Sequence, residues 1–579
     1  MAVEEENLHP KPFMCEAESK TLIILGSPIY RERMDSGIIA GEILKRGMDR
    51  SFVSEIDGSF LFILYDRATG IFSIASDRFA SIPVYYFFDE TEFVASVNYA
   101  DIWRELCKKR DFAINQEAFY EFIYLQRLLG DKTYDSRTKY LNSASILTFS
   151  MQTGSLDVVR YWRPDFQKRK GTPTETSRML ADLTRKAILR RTSDGKRYGL
   201  LLSGGLDSRL VLAALDKRVE CITLGPYKNN EYLVAKALAD AKKYPHSFIK
   251  RKEGHYASIL EEAVFLGGGM NMYIHAHFLD FDEEFRAKAD VLFHGHGFDY
   301  MFQGKYLPYE TVKILNKKTY LKKRIPIEKD VTSKFLSKIS YRLKSVDPLS
   351  LVTHKEKERM RGSLVASAAK VVEGGNDCAN DPHDLWEYLV MHNLSRHYTF
   401  LNLCSMRTAV EERTAAFDNE LFDFYLSLPP ESRLNKKIFT DAIKLLSEDF
   451  YRIKSANTNF NIYDSDLMLT AKLSANKILR QLGLSASLPP SQADRSWPVK
   501  ADIIKQSGKI MAIVRALTDS EALNTLGFFD MDAIKRYLGR HLAGKADHSD
   551  LILTLVTIDT FIKNSSKKDM AYVVCAKNQ

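Results

Sequence analysis

The stretch YGLLLSGGLDSRLVLAAL, residues 198–215, constrains the fold more than any other part of the chain. A short apolar run stops at the turn Ser203-Gly204-Gly205, and apolar residues at helical spacing begin at Leu206. The pattern predicts a strand, a glycine turn and a helix start, which together present backbone N–H groups and a positive dipole end to an anion. Two glycines let the backbone approach a phosphate, and two serine hydroxyls add donors. The alternative is a strand-to-helix turn with capping serines only.

Asp207 places a carboxylate inside this predicted phosphate cradle. It would repel the phosphates unless a divalent cation lay between them, so the sequence indicates a magnesium nucleotide. The predicted nucleotide-binding loop consists of Leu202, Ser203, Gly204, Gly205, Leu206, Asp207 and Ser208.

Length and composition exclude several classes of protein. At 579 residues the chain is long enough for two or more domains, and 45% apolar residues suffice for sizeable cores. No apolar run reaches the roughly 18 residues of a membrane span, and the acidic N-terminus is not a secretion signal. The six cysteines are scattered without a C-x-x-C pair, which favours a cytoplasmic protein.

The net charge of +9 is concentrated between about residues 305 and 361. We interpret this segment as a solvated helical insertion of mixed charge, in preference to a nucleic-acid surface.

The hydrophobic pattern changes once along the chain. To about Pro164 it shows short strands joined by tight turns, such as Thr21–Leu25 and Phe60–Tyr65, which predict stacked antiparallel sheets. From Thr172 helices alternate with single apolar strands, the pattern of a parallel sheet covered on both faces. From about Asp464 the pattern is mostly helical.

SGGLDS resembles the pyrophosphate-binding (PP) loop of the N-type ATP pyrophosphatases, and the wider context is similar to the asparagine synthetase family. The resemblance implies an α/β protein in which an Ntn-type antiparallel sandwich precedes a doubly wound parallel-sheet PP-loop domain with a helical C-terminal part. We expect domains at residues 1–165 and 172–579, with a basic insertion at 305–385. It also implies cleavage of ATP to AMP and pyrophosphate, with Mg²⁺ as cofactor. The Walker-type G-x-x-x-x-G-K-[ST] is absent.

The first region resembles the glutaminase half of that family, with departures at the catalytic positions. IDGSFLFILYD (56–66) and DRFASIPVYYF (77–87) are similar to family motifs, and GSPIY (26–30) lies where the family carries N-G-E-I-Y-N. The family's nucleophile is a cysteine exposed at residue 1, whereas Ala2 stands here and Cys15 is followed by Glu-Ala. We therefore expect a retained scaffold without glutaminase activity.

FHGHGFDYMFQG (293–304) resembles the family's G-[ED]-G-x-D-E-x-F-x-G. Asp299 matches the aspartate that holds magnesium, so Asp207 and Asp299 are the expected metal ligands. Gly295 and Gly297 let this turn pass beside the phosphates. His296 replaces an acidic residue, which indicates another acceptor or a base that is neutral near pH 7. The two H-x-H pairs, 275/277 and 294/296, are interpreted as incidental and not as zinc ligands.

Two further positions complete the expected site. Leu224 and Gly225 end the second strand, at the carboxyl edge where open α/β sheets bind ligands, and the family places this position against the nucleotide. Lys454, in RIKSANTNF, falls at the lysine of the family's R-x-K-x-x-F, which stabilises transition-state charge. The resemblance assigns catalytic roles to Lys454, Asp299 and His296.

The sequence thus predicts an ATP-dependent amide-forming ligase that adenylates a small-molecule or peptide carboxylate and transfers it to ammonia or an amine. A separate ammonia source and a homodimer are compatible with it, and neither membrane nor nucleic acid is an expected partner. Alternatives of the same chemistry are the intramolecular ligation of β-lactam synthetases and lasso-peptide cyclases, and amidation of sugar uronic acids. Alternatives of another class are a PP-loop tRNA-modifying enzyme and a catalytically dead nucleotide-binding protein.

Overall fold

The fold is taken from a computed structural model that describes residues 9–89, 92–109, 112–314, 317–327, 330–339, 343, 345–397, 399–482, 496–564 and 574–577. None of the helices within these ranges combines the length and hydropathy that a bilayer crossing requires.

Within its described residues, the N-terminal part contains nine strands and four helices. They are β1 (Phe13–Ala17), β2 (Lys20–Ile29), α1 (Ser36–Arg46), α2 (Arg50–Glu55), β3 (Asp57–Asp66), β4 (Ile71–Ser76), β5 (Tyr85–Phe88), β6 (Glu92–Ser96), α3 (Tyr99–Lys108), α4 (Gln116–Leu125), β7 (Lys139–Tyr140), β8 (Ser145–Ser150) and β9 (Ser155–Arg160). One antiparallel sheet has the order β1-β2-β3-β4-β8-β9, and β6, β5 and β7 belong to a second.

Strand β2 explains why these sheets stack. Its alternate residues enter two different cores, because successive side chains of a strand point to opposite faces. Leu22 and Ile24 pack in one core with residues of α1 and α2, and Ile23 and Leu25 pack in the other with residues of β5 and β6. The predicted antiparallel sandwich is confirmed, with α1 and α2 on its outer face.

The middle of the chain alternates helices and strands. Its elements are α5 (Pro173–Arg190), β10 (Tyr198–Leu201), α6 (Asp207–Ala214), β11 (Glu220–Gly225), α7 (Asn230–Lys242), β12 (His246–Lys250), α8 (His255–Ser258), α9 (Leu260–Leu266), α10 (Asp282–Arg286), β13 (Val291–His294), α11 (Phe298–Phe302), β14 (Tyr309–Ile314), β15 (Lys317–Arg324), α12 (Val331–Ile339), α13 (Lys357–Glu373), α14 (Pro382–Met391), α15 (Leu401–Arg407) and β16 (Glu411–Thr414).

Five of these strands form the parallel sheet, in the order β12-β11-β10-β13-β16. This order places the topological switch point between β10 and β13, since the chain proceeds outwards in one direction from β10 and then in the other from β13. The strands are short, and all except the edge strand β12 are almost entirely buried, as expected for a sheet covered on both faces. The predicted doubly wound parallel sheet is confirmed.

The remaining part is helical, as predicted, except for its last strand. It contains α16 (Asn419–Leu426), α17 (Pro430–Leu434), α18 (Lys437–Leu446), α19 (Glu448–Arg452), α20 (Asp466–Gln481), α21 (Lys500–Gln506), α22 (Gly508–Ala516), α23 (Glu521–Thr525), α24 (Met531–Leu542), α25 (Ser549–Asn564) and β17 (Val574–Lys577). Strand β17 pairs with β6, so the end of the chain extends the second N-terminal sheet.

The basic insertion differs from its predicted form at its start. An antiparallel hairpin, β14–β15, precedes α12 and α13. The expectation of a wholly helical segment is therefore wrong for residues 309–324. Tyr309, Thr311 and Val312 are aromatic or β-branched residues, which favour strands.

Candidate active site

The loop between β10 and α6 has the predicted strand–turn–helix form. Its two serines hydrogen-bond to each other: Ser203 Oγ lies 3.0 Å from Ser208 Oγ, and the Ser203 N–H donates to Ser208 Oγ at 3.1 Å. The Gly205 N–H donates to Ser203 Oγ at 3.2 Å. Among the described residues, no side-chain cap hydrogen bond is made at the N-cap Leu206 of α6. The hydrogen bonds of the two serines therefore fix the conformation of the turn, and the positive end of the helix dipole is left available to a ligand.

The glycines of the site serve different purposes. A Cβ on Gly204 would lie 2.2 Å from the Ala456 Cβ, and a Cβ on Gly295 would lie 2.5 Å from the Asp207 Cβ. These two residues are glycine because protein packs against them. A Cβ on Gly205 would meet only the Ser203 hydroxyl, at 3.2 Å. Gly205 is thus the loop glycine with room for a phosphate, and Gly297 has a φ of +102° that favours glycine.

Arg209 anchors the loop to a distant segment, a role that sequence reasoning missed. Its guanidinium is fully buried and donates to the carbonyls of Ile453 at 2.6 Å and Lys454 at 2.8 Å. Burial lowers its pKa to about 10. The Ala456 N–H also donates to the Gly204 carbonyl, at 3.2 Å. An arginine among the apolar residues of a helix is the signal that could have revealed this anchor.

A cavity of about 290 Å³ lies at the carboxyl ends of β10, β11 and β13, at the switch point of the sheet. Eight predicted site residues line it: Leu202, Ser203, Asp207, Ser208, Leu224, Gly295, His296 and Asp299. Other lining residues were not predicted, including Phe278, Asn402, Leu403, Met406, Ser496 and Trp497. The remaining predicted residues, Gly204, Gly205, Leu206, Gly225, Gly297 and Lys454, are not part of this lining.

Asp207 and Asp299 form a pair of carboxylates in the cavity. Burial, and next the charge of Asp299, raises the pKa of Asp207 to about 8. The Gln303 amide donates to Asp207, and Lys305 Nζ lies 2.5 Å from Asp299 Oδ2. The two carboxylates are crowded, and one of them resists ionisation. This arrangement fits a site for a divalent cation, because the positive charge of the cation would relieve the repulsion between the carboxylates.

The protein alone does not complete such a site. Among the described residues there is no group of three or more His, Cys, Asp or Glu side chains suited to a metal ion. Phosphate oxygens would supply the remaining ligands, as is common for Mg²⁺.

A series of hydrogen-bonded side chains supports the turn that carries His296. His294 Nε2 lies 2.6 Å from Glu412 Oε1, and Arg407 Nη2 lies 2.6 Å from Glu412 Oε2. Burial alone would raise the pKa of Glu412, but Arg407 and His294 overcome it and lower that pKa to about 2. The His296 N–H in turn donates to His294 Nδ1 at 3.1 Å. Sequence reasoning missed Glu412, because nothing in its own segment indicates its partner.

His296 presents a neutral imidazole. Burial, and next the nearby His294, lowers its pKa to about 4. Its Nε2 is buried and has no hydrogen-bond partner among the described residues. This nitrogen is available to a ligand in the cavity.

Lys454 is exposed, and its side chain is not part of the cavity wall. A second lysine, Lys436, is half-buried near the carboxylates. Burial and Lys322 lower its pKa, while the charges of Asp207 and Asp299 oppose that shift. The structure therefore adds a cation that the sequence did not indicate.

The N-terminal part has its own cavity, of about 400 Å³, between the sandwich and the parallel-sheet region. Gly26 and Ser27 line it, and Cys15 does not: Cys15 lies on the edge strand β1, opposite Leu22. The one cysteine in the described lining is Cys404, and burial raises the pKa of its thiol to about 11. Ala2 lies outside the described residues. No described thiol is thus placed to act as a nucleophile there.

Two family models match separate parts of the chain. The family model "Asparagine synthase" matches residues 179–563, and the model "Glutamine amidotransferase domain" matches residues 24–162.

Among curated proteins, "Putative asparagine synthetase [glutamine-hydrolyzing] 2" of Methanocaldococcus jannaschii is 24% identical over 349 residues, 56% of this chain and 66% of that protein. Human "Asparagine synthetase [glutamine-hydrolyzing]" is 24% identical over 299 residues, 48% of this chain and 50% of that protein. The chain thus spans between half and two-thirds of the length of these relatives. A solved structure of the allosteric regulatory enzyme of purine biosynthesis covers 52% of the chain at 9% identity, with a TM-score of 0.17 that carries no argument.

Proposed function

This chain belongs to the asparagine synthase family, and from that premise we propose that it is an ATP-dependent ligase that adenylates a carboxylate and passes the acyl group to ammonia or an amine. One observation carries the proposal. The uncapped helix N-terminus after Ser203–Ser208 and the carboxylates of Asp207 and Asp299 meet in a single cavity at the sheet's switch point. We further propose the division into residues 1–165 and 172–579, with the insertion at 305–385.

In the first step, a carboxylate oxygen of the substrate attacks the α-phosphorus of ATP, and pyrophosphate leaves. The N-terminus of α6 and the Gly205 turn bind the pyrophosphate through backbone N–H groups. Asp207 and Asp299 would hold Mg²⁺, which when bound supplies positive charge beside the phosphates.

In the second step, the nitrogen nucleophile attacks the acyl carbon, AMP leaves and the nitrogen loses a proton. His296 is neutral at pH 7, and its buried Nε2 has no partner among the described residues, so it can accept that proton. The lysine that stabilises the developing charge is Lys454. Its backbone is tied to the loop through Arg209, and its exposed side chain is free to turn towards the cavity.

The nitrogen source follows from the N-terminal part. Cys15 lies away from the cavity of that part, and burial raises the pKa of Cys404. We therefore propose that free ammonia, or ammonia from another protein, is the donor. The same observation favours a second candidate, in which the substrate's own amine attacks, as in β-lactam synthetases and lasso-peptide cyclases.

A pyrophosphate-release assay over a panel of carboxylic acids and amines tests the proposal. We expect acid-dependent pyrophosphate from the wild type and a loss of at least about 100-fold in Asp299→Ala, since the variant removes a charge partner used in the transition state. Asp240→Asn is the matched control, because Asp240 is exposed on α7 and its only ion pair among the described residues is with Lys236. Equal rates in Asp299→Ala and wild type would refute the assignment.

A further inference from the structure

Two residues of the helical C-terminal part, Ser496 and Trp497, reach the cavity just before α21. The Ser496 N–H donates to Glu231 Oε2 at 3.1 Å, and the Ser496 carbonyl accepts from the Arg251 guanidinium. The Trp497 ring stacks on His277 with centroids 4.0 Å apart. Three side chains of the parallel-sheet region thus fix this dipeptide in place.

The dipeptide presents unsatisfied groups to the cavity. The Ser496 hydroxyl belongs to a residue only 2% exposed and has no hydrogen-bond partner among the described residues. It lies 3.5 Å from the position of a Cβ on Gly225, at the carboxyl end of β11. Trp497 is 39% exposed although it lines a cavity. A buried hydroxyl beside an incompletely covered aromatic ring is expected where a ligand supplies the missing partners.

The chemistry of this end of the cavity identifies the kind of group that it binds. Leu224, Phe278 and Trp497 make it apolar. The nearby Arg251 guanidinium is buried, donates to the Ser496 carbonyl and lies 5.1 Å from the centroid of the Trp497 ring, and Arg251 is not among the residues of the described lining. The groups suited to phosphate lie elsewhere, at the loop that begins at Ser203. A flat, apolar ring system with a polar edge satisfies both the tryptophan and the serine.

We propose that Ser496 and Trp497 bind the purine base of the nucleotide, with the serine hydroxyl hydrogen-bonded to the ring edge and Trp497 packed against the ring. The inference rests on the proposed function and extends it, since it gives the C-terminal part a role in nucleotide recognition. Because Glu231 holds the Ser496 backbone, that carboxylate acts as a positioning residue in this site.

Tryptophan fluorescence tests the proposal on the full chain. Trp103 and Trp386 are buried, so Trp497 and the half-buried Trp162 are the accessible reporters. AMP or ATP without metal should change the fluorescence emission of the wild type and of the control variant Trp162→Phe. Trp162 is a suitable control because its ring lies against Arg78 in the N-terminal part. The change should disappear in Trp497→Phe.

A second variant separates base recognition from chemistry. Ser496→Ala should weaken nucleotide binding about fivefold in equilibrium dialysis, the loss of one hydrogen bond. In the pyrophosphate-release assay, the KM for ATP should rise by about the same factor, because the hydroxyl would contact the base and no reacting atom.

The outcomes distinguish this inference from the proposed function. If dialysis detects nucleotide but Trp497 emission and the Ser496→Ala affinity do not change, the base lies elsewhere and only this inference fails. If carboxylic acids change Trp497 emission and nucleotides do not, the dipeptide belongs to the acceptor site and the inference is overturned. If dialysis detects no nucleotide, the proposed function fails as well.

Discussion

Replacing Asp207 with asparagine should stabilise the metal-free protein while it removes activity. Asp207 is a half-buried carboxyl whose pKa is raised to about 8 by burial and by Asp299, against an ordinary value of 3.8. The unfolded chain loses this proton at the ordinary pKa and the folded chain near pH 8. Between these values the folded state holds the extra proton, so the stability of the wild type falls as the pH rises and levels off above pH 8.

The size of the effect follows from the same values. Each pH unit between the two pKa values corresponds to about 1.4 kcal/mol, which sets an upper limit near 4 kcal/mol at pH 7. Solvent reaches Asp207 and screens part of this, so we expect Asp207→Asn to gain about 2 kcal/mol at pH 7. The Gln303 amide that donates to Asp207 can donate equally to the asparagine oxygen.

Thermal unfolding without metal or nucleotide, from pH 4.5 to 8.5, measures this gain. The midpoint of Asp207→Asn should exceed that of the wild type by a margin that widens with pH, while pyrophosphate release is lost. Asp240→Asn, on the exposed face of α7, should follow the wild type at every pH. A midpoint of Asp207→Asn that equals or lies below the wild-type midpoint at pH 8 would show that the two carboxylates do not repel each other, and the metal site would lose its physical basis.

Three further substitutions test the packing around the site. Gly204→Ala places a methyl 2.2 Å from the Ala456 Cβ and should lower the free energy of unfolding by about 2 kcal/mol. The control Gly539→Ala, in an open helix position, should raise it by about 0.5 kcal/mol in the same denaturation assay. Equal effects of the two variants would contradict the close packing of Gly204 against Ala456. Arg209→Met leaves three or more carbonyls without a buried donor, so urea denaturation should show a loss of about 3 kcal/mol, and a loss below 1 kcal/mol would refute the anchor. Glu412→Gln should cost about 3 kcal/mol at pH 7. The pKa of Glu412 is lowered to about 2 in the folded protein, so the extra unfolding free energy of the wild type over the variant is full above the ordinary pKa of 4.5 and declines as the pH falls towards 2. If this difference in unfolding free energy does not depend on pH in acid denaturation, the ion pair is contradicted.

Local pattern predicted the parallel-sheet fold and the strand–turn–helix form of the loop. The apolar run ending at Ser203 and the helical spacing from Leu206 are local signals, and the structure has β10, the turn and α6 there. The carboxyl ends of parallel strands meet at one edge, which predicts Leu224 beside the loop, and the family resemblance predicts His296 there; both line the cavity.

Contacts between distant segments could not be predicted in the same way. Arg209 bonds to the carbonyl of Lys454, 245 residues later, and His294 pairs with Glu412, 118 residues later. The sequence indicates neither partner, because each lies in an element far along the chain. Gly204 is a further contact that local pattern did not reveal. Glycine is required at this position because Ala456 packs against it, and not because a phosphate approaches it.

The identity of the products formed from ATP tests the central claim most directly. Purified protein, incubated with MgATP, ammonia and an acid that supports turnover, can be followed by ³¹P NMR as the nucleotide is consumed. The account predicts AMP and pyrophosphate in equal amounts, with formation abolished in Asp299→Ala. Formation of ADP and inorganic phosphate would contradict it.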